Sequence, residues 1–156
     1  MKFYQFSPQC VGTTGEDTIC ADWSARPVVF HKLQFELEYW PEDDFIGATI
    51  QAYAGTIVLA NAIEAAGLTG IKFDRLEMIK GDQFWLWEEE HLGETIPEYL
   101  WFKFSGNAGI DDFGMIHAPV ALPLTVAEKA LAVLKQFKIE NCRIKDFDPS
   151  VLIING

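Results

Sequence analysis

Apolar and polar positions alternate with a period of two from Val28 to Trp40. Val29, His31, Leu33, Phe35, Leu37 and Tyr39 fall on one side; Phe30, Lys32, Gln34, Glu36 and Glu38 fall on the other. Such alternation predicts a half-buried strand, apolar inward and mostly charged outward, and it places His31 on the inward side. The period changes at Thr56. Ile57, Leu59, Ala60, Ile63 and Ala66 trace one face of a helix, with Thr56 as its N-cap. Gly67 serves as a left-handed stop, with Leu68 placed to pack back onto the last turn, and Ile71–Ile79 returns as a strand. The same build recurs near the end of the chain. Thr125-Val126-Ala127-Glu128 reads as a capping box, Ala127, Leu131 and Leu134 as an inner stripe, and Asn141–Phe147 as a second returning strand. When the two stretches are superposed, Ile63 falls on Leu134, Leu68 on Ile139 and Phe73 on Ile144, each pair 71 positions apart (134 − 63 = 71). The apolar rhythm matches while the identities mostly differ. Two copies fit both a duplicated helix-strand unit and chance similarity between two αβ units.

Further strands are predicted at Lys2–Phe6, Thr49–Tyr53, Phe84–Trp87 and Tyr99–Phe104. Residues 7–26 are rich in Gly, Thr, Ser and Asp and read as a loop that Trp23 pins to the body. Pro41–Asp44 is a turn, with Phe45 and Ile46 after it as a packing anchor. Ser105–Gly109 is another turn, Val120–Leu124 leads into the second helix, and Val151–Ile154 is a last apolar run. Two principal helices set among predominantly β segments, without regular βαβ alternation, predict a single α+β domain. Its sheet is antiparallel or mixed, with helices on one face.

Composition narrows the function. A chain of 156 residues that is 49% hydrophobic and 22% charged belongs to the folded globular class. Its 23 acids outnumber its 12 bases for a net charge of −11. No base falls between Lys32 and Lys72, and only Lys103 falls between Gly81 and Thr125. Binding to a phosphate backbone is disfavoured by that distribution; solubility or a cationic protein partner accounts for it better. The three cysteines, Cys10, Cys20 and Cys142, are odd in number and lack scaffold spacing, so reduced thiols and a cytoplasmic setting are expected. No CxxC or Cys/His cluster suggests a metal, and no cofactor motif is present. The N-terminus lacks the apolar run of a signal peptide. The longest apolar stretch, around Thr56–Ala66, is broken by Asn61 and Glu64 and is too short for a membrane span.

Two clusters invite a chemical reading. Glu88-Glu89-Glu90-His91 offers carboxylates beside an imidazole, but further ligands at metal-binding spacing are missing, and a solvated acidic segment explains it as well. Asp111-Asp112 with His117 offers a carboxylate–histidine base, yet no nucleophile elbow accompanies it. Asp112-Phe113-Gly114 matches a kinase string without the rest of the kinase signature. Gly67–Gly70 ends a helix where a phosphate loop would open one. What remains is a surface: Glu42, Asp43 and Asp44, then Glu88, Glu89 and Glu90, then Asp111 and Asp112 form one acidic patch if their loops cluster. Trp85 and Trp87 are expected on one strand face beside Glu88–Glu90, either as an exposed aromatic anchor or as core.

The stretches FELEYWPEDD (35–44), TIVLANAIEAAGLTGIKF (56–73), IPEYLWFKFSG (96–106), IDDFG (110–114) and LPLTVAEKALAVLKQFKIENCRIKDF (122–147) resemble a group of small bacterial immunity proteins, which protect cells from polymorphic toxins. The matching motifs are structural. The resemblance implies a cytoplasmic, non-enzymatic binder without cofactor that locks a cognate protein toxin by stoichiometric contact; the acidic balance suits a basic toxin. Contact residues of that group vary and are not carried over; the acidic loops and the two tryptophans named above are the expected contact surface on their own charge and aromatic character. A small hydrolase using Asp111, Asp112 and His117, or Glu88–His91, is the alternative; an accessory interaction domain without a toxin is another.

Overall fold

A computed structural model describes residues 1–25, 28–49, 51–116 and 124–150. The chain opens with β1 (Phe3–Ser7), the short β2 (Gln9–Cys10), β3 (Gly12–Thr14) and β4 (Ile19–Cys20), then β5 (Phe30–Lys32) and β6 (Gln34–Leu37). Next come β7 (Phe45–Ala48), β8 (Ala52–Thr56), α1 (Ile57–Ala65), β9 (Ile71–Asp74), β10 (Glu77–Lys80) and α2 (Trp85–Glu90). The remainder holds β11 (Tyr99–Phe104), β12 (Phe113–Gly114), β13 (Leu124–Ala127), α3 (Glu128–Leu134) and β14 (Arg143–Phe147). The fold is α+β, with antiparallel and mixed sheets.

The two helix-strand stretches are duplicates in three dimensions. β8 runs straight into α1 and β13 straight into α3, with Thr56 and Ala127 as the N-caps, 71 residues apart (127 − 56 = 71) and both extended. In each unit the strand before the helix and the strand after it straddle one antiparallel strand. β8 and β9 flank β11; β13 and β14 flank β1. The registers agree as well. Phe102 sits opposite Phe73 in the first unit and Phe6 opposite Ile144 in the second (144 − 73 = 71). Phe45 faces Gly55, and Phe113 faces Val126 (126 − 55 = 71). The middle strand of the first unit follows it in sequence, whereas that of the second is the chain's own N-terminal strand. The packing confirms the pairing: Phe6, Phe45, Phe102 and Phe113 are all buried in one core together with α1 and α3.

The five-stranded sheet β2-β7-β8-β11-β9 is buried on both faces at its centre. Tyr53 and Phe102 point to the helix side, while Ala52, Ala54, Tyr99 and Trp101 point into a second core. That second core is roofed by segments with no counterpart in the other unit: the sheet β10-β6-β3, the β4-β5 pair and α2. The corresponding face of the other unit carries Gln5 where the first carries Trp101, as their registers show. That face is covered on a smaller scale: Phe3, the counterpart of Tyr99, is buried with Ala108, Ala127 and Phe147, and Thr125 is fully buried. The larger roof, with α2 in it, covers the first unit.

Local chemistry bears out several expectations and revises others. The Thr56 hydroxyl accepts from the Leu59 N–H, as an N-cap should. α1 ends in a Schellman motif: Gly67 (φ 65°) donates to Glu64 and Leu68 donates to Ile63. Phe45 and Ile46 are fully buried. The capping box at Thr125 does not form, because Thr125 lies inside β13 and its hydroxyl donates to the Gly114 carbonyl (3.0 Å); Ala127 caps without a side-chain bond. The long strand over Val28–Trp40 is two strands whose inward phase slips by one residue at Leu33. Phe30 is buried and His31 is exposed, the reverse of the expectation; β4 pairs with β5 through a register shift. Ile71–Ile79 likewise divides into β9 and β10, which belong to different sheets. His117, most of the 120–124 lead-in and Val151–Ile154 lie outside the described residues.

Candidate interaction surface

Phe84–Trp87 is not a strand. α2 spans Trp85–Glu90, and Phe84, its N-cap, is buried. Gly81 begins the turn, since the Phe84 N–H donates to its carbonyl (3.1 Å), and Trp87 and Glu88 then donate back to Phe84. Three consecutive glutamates favour helix over strand, and the tertiary setting decides the matter. The Trp40 ring stacks on Phe84 (5.9 Å) and on His91 (4.3 Å, interplanar angle 4°), so one indole holds α2 at both ends.

Because α2 is a helix, Trp85 and Trp87 do not share a face. Trp87 is half-buried against Tyr39, edge to face at 5.7 Å. Trp85 points outward, 54% exposed, with Leu86 at 45% and Leu92 at 84%. Glu89 and Glu90 are exposed beside them, and Glu88 pairs with Lys80 (2.8 Å). Three exposed apolar side chains thus fall within eight residues of chain, on α2 and in the turn after it, among glutamates. Tyr39, Leu86 and Leu92 were missed from sequence because the strand assignment turned Leu86 inward and left Leu92 in a connection.

The other acidic residues bind the protein to itself. Asp43 is 1% exposed; its carboxylate accepts from the Asn141 backbone N–H (2.7 Å) and side-chain amide (2.9 Å), and its carbonyl accepts from the Tyr99 hydroxyl (2.7 Å). Asp44 accepts from the Lys138 N–H (2.9 Å) and the Thr56 hydroxyl (3.1 Å). Glu42 reaches His91 Nε2 (3.0 Å) and Lys138 Nζ (3.7 Å). Asp111 accepts from the Asn107 N–H (2.7 Å), closing its own turn. Asp112, 4% exposed, accepts from the Thr69 N–H (2.8 Å) and lies 3.5 Å from Lys129 Nζ. These carboxylates are satisfied within the fold. The Glu42 loop does adjoin α2, through His91; no hydrogen bond or ion pair among the described residues joins Asp111 or Asp112 to either group.

Titration follows from this placement. His91 donates from Nδ1 to the Trp87 carbonyl (2.7 Å) when Nε2 faces Glu42, and the pKa of the ring is raised, first by that carbonyl and then by Glu42. Burial, then the carboxylates of Asp44, Asp43 and Glu42, push the Tyr99 phenol above its ordinary value. Burial raises the Cys142 thiol, which keeps it protonated. No group of three His, Cys, Asp or Glu side chains among the described residues is placed to hold a metal. No helix among them is long and apolar enough to cross a membrane.

Comparison with protein-family models, with curated proteins and with solved structures finds no match to this chain.

Proposed function

We propose that this protein is a stoichiometric protein-binding inhibitor of the immunity type, and that it holds a basic partner domain against α2. The observation that carries the reading is the exposure of Trp85 and Leu86 on α2 and of Leu92 in the turn after it, beside Glu89 and Glu90. Tryptophan is among the residues enriched in binding hot spots, which singles out Trp85 as the anchor with Leu86 and Leu92 as flanking apolar contact, and negative charge speeds capture of a basic partner. A self-associating face is disfavoured, since an isologous contact would set Glu89 and Glu90 against their own copies. An enzymatic role for Asp111 and Asp112 has less support, because both carboxylates are engaged by backbone N–H groups.

The test is capture of a partner by the tagged protein in its native host, followed by titration of that partner's activity. Activity is expected to vanish at one equivalent of the wild-type chain and to persist with a Trp85→Ser/Leu92→Ser variant. Failure to find a stoichiometric partner, or equal inhibition by the variant, overturns the proposal.

A further inference from the structure

We infer that the groove between α2 and the β6–β10 rim receives an arginine side chain of the partner. The inference rests on α2 being a partner-binding element, and it specifies the chemistry accepted on the side of α2 that carries Trp87.

The groove is lined by carboxylates on the one hand and by aromatic and aliphatic side chains on the other. Glu36 on β6 and Glu38 just beyond its end both line it, while Phe35 and Leu37 turn into the core. β10 runs parallel to β6 with Ile79 opposite Glu36. The chain leaves β10 through Gly81, whose N–H donates to the Leu37 carbonyl (2.8 Å), and this brings Asp82 up to the same groove. Tyr39, Leu86 and Trp87 complete the lining, and the groove encloses about 390 Å³, in the range of a small binding site. No cation among the described residues forms an ion pair with Glu36, Glu38 or Asp82. Neighbouring Lys80 is committed to Glu88 and Lys32 to Glu77.

A guanidinium matches both kinds of lining at once. Its flat face stacks on an indole or phenol ring, and its edge forks to carboxylates through paired N–H donors. A lysine ammonium satisfies the charge but not the flat rings. Phosphate and anionic lipid are repelled.

The test uses the full chain and three fluorescein-labelled pentapeptides, Gly-Arg-Gly-Arg-Gly and its lysine and citrulline counterparts, at physiological salt. Anisotropy is expected to show the arginine peptide binding at least tenfold tighter than the citrulline peptide and at least threefold tighter than the lysine peptide. Its binding should shift the Trp87 indole N–H signal in NMR spectra. A Glu36→Gln/Asp82→Asn variant should weaken binding at least tenfold. A Glu64→Gln/Glu140→Gln variant, which removes the same charge from exposed sites elsewhere, should weaken it less than threefold. Equal losses in the two variants, equal affinity for lysine, or no binding overturns the inference. The underlying reading fails separately. If a captured partner is released by Trp85→Ser/Leu92→Ser but not by Glu36→Gln/Asp82→Asn, the protein-binding face stands and the arginine site falls; if neither variant releases it, both fall.

Discussion

Asp44 and Asp112 occupy the same place in the two halves of the molecule. Each precedes a fully buried phenylalanine, Phe45 or Phe113, and each offers its backbone carbonyl to the N-cap residue of its own unit's helix, Thr56 (2.9 Å) or Ala127 (2.8 Å). Each then turns its carboxylate to the exit of the other unit's helix. Asp44 takes the Lys138 N–H after α3, and Asp112 takes the Thr69 N–H after α1. The two units are clasped reciprocally, and an Asp-Asp-Phe string marks the clasp at 43–45 and again at 111–113. An acidic pair in this setting is a connector, satisfying backbone N–H groups at helix ends that have no partner within the helix exit itself.

Removing a connector is therefore expected to cost stability. Asp112→Ala removes a buried carboxylate that accepts from the N–H of exposed Thr69, and a loss of about 1–2 kcal/mol is expected from denaturant unfolding. Asp43→Ala, which strips Asn141 of both bonds, should cost a similar amount. Glu89→Ala and Glu90→Ala, exposed and outside any such contact, should stay within about 0.5 kcal/mol of wild type. Equal effects at the two kinds of site would refute the division between internal and outward-facing acids.

Much of the scaffold was legible in the sequence because period and punctuation agreed there. The Thr56 cap, the Gly67 stop and the 71-residue spacing all mark local rules that the fold obeys. The Asp-Asp-Phe repeat was also in plain view, but its meaning depends on contacts such as Asp43 with Asn141, 98 residues away, which no local pattern announces. Thr125 misled because a capping box and a strand ending use the same residues; the ladder to β1 took precedence over the cap. Phe84–Trp87 misled because aromatic residues favour strands in general, whereas here Trp40 stacks on residues 84 and 91 and fixes a helix between them. The candidate surface lies on the element where local propensity is divided, aromatic residues favouring strand and glutamates helix, and tertiary packing decides.

The asymmetry between the halves gives a packing test. Gly55 corresponds to Val126, yet a Cβ built on Gly55 would lie 2.1 Å from the tip of the Phe102 ring. Gly55→Ala is expected to destabilise by about 1–3 kcal/mol through overpacking. Combining it with Phe102→Leu should recover part of that loss, giving a favourable coupling in a double-mutant cycle measured by urea unfolding. Strict additivity of the two changes would show that the ring is not what excludes the methyl.

His91 makes the seating of α2 depend on pH. Its raised pKa means the folded state favours the imidazolium, so the associated stability is fully present below the ordinary histidine value near 6.5 and is lost as pH rises through the raised value. An NMR titration of His91 should place its midpoint above that of an unperturbed histidine. Glu42→Gln should lower it without erasing the shift, because the Trp87 carbonyl still accepts from Nδ1. A midpoint at or below the ordinary value would remove the ion pair from the account.

Charge and apolar contact on α2 should separate kinetically once a partner is in hand. Glu89 and Glu90 are exposed and hold no ion pair among the described residues, so Glu89→Lys/Glu90→Lys is expected to act on encounter. Association should slow by about tenfold at low salt and lose much of its salt dependence, with dissociation little changed. Glu88 is left intact in this variant because it fixes Lys80. Trp85→Ala should do the opposite, leaving association near wild type while dissociation rises by about tenfold or more, since a desolvated aromatic anchor acts after docking. Surface plasmon resonance at two salt concentrations distinguishes the two. If the charge-reversal variant associates at the wild-type rate, Glu89 and Glu90 do not face the partner, and the approach is guided by carboxylates elsewhere on the protein.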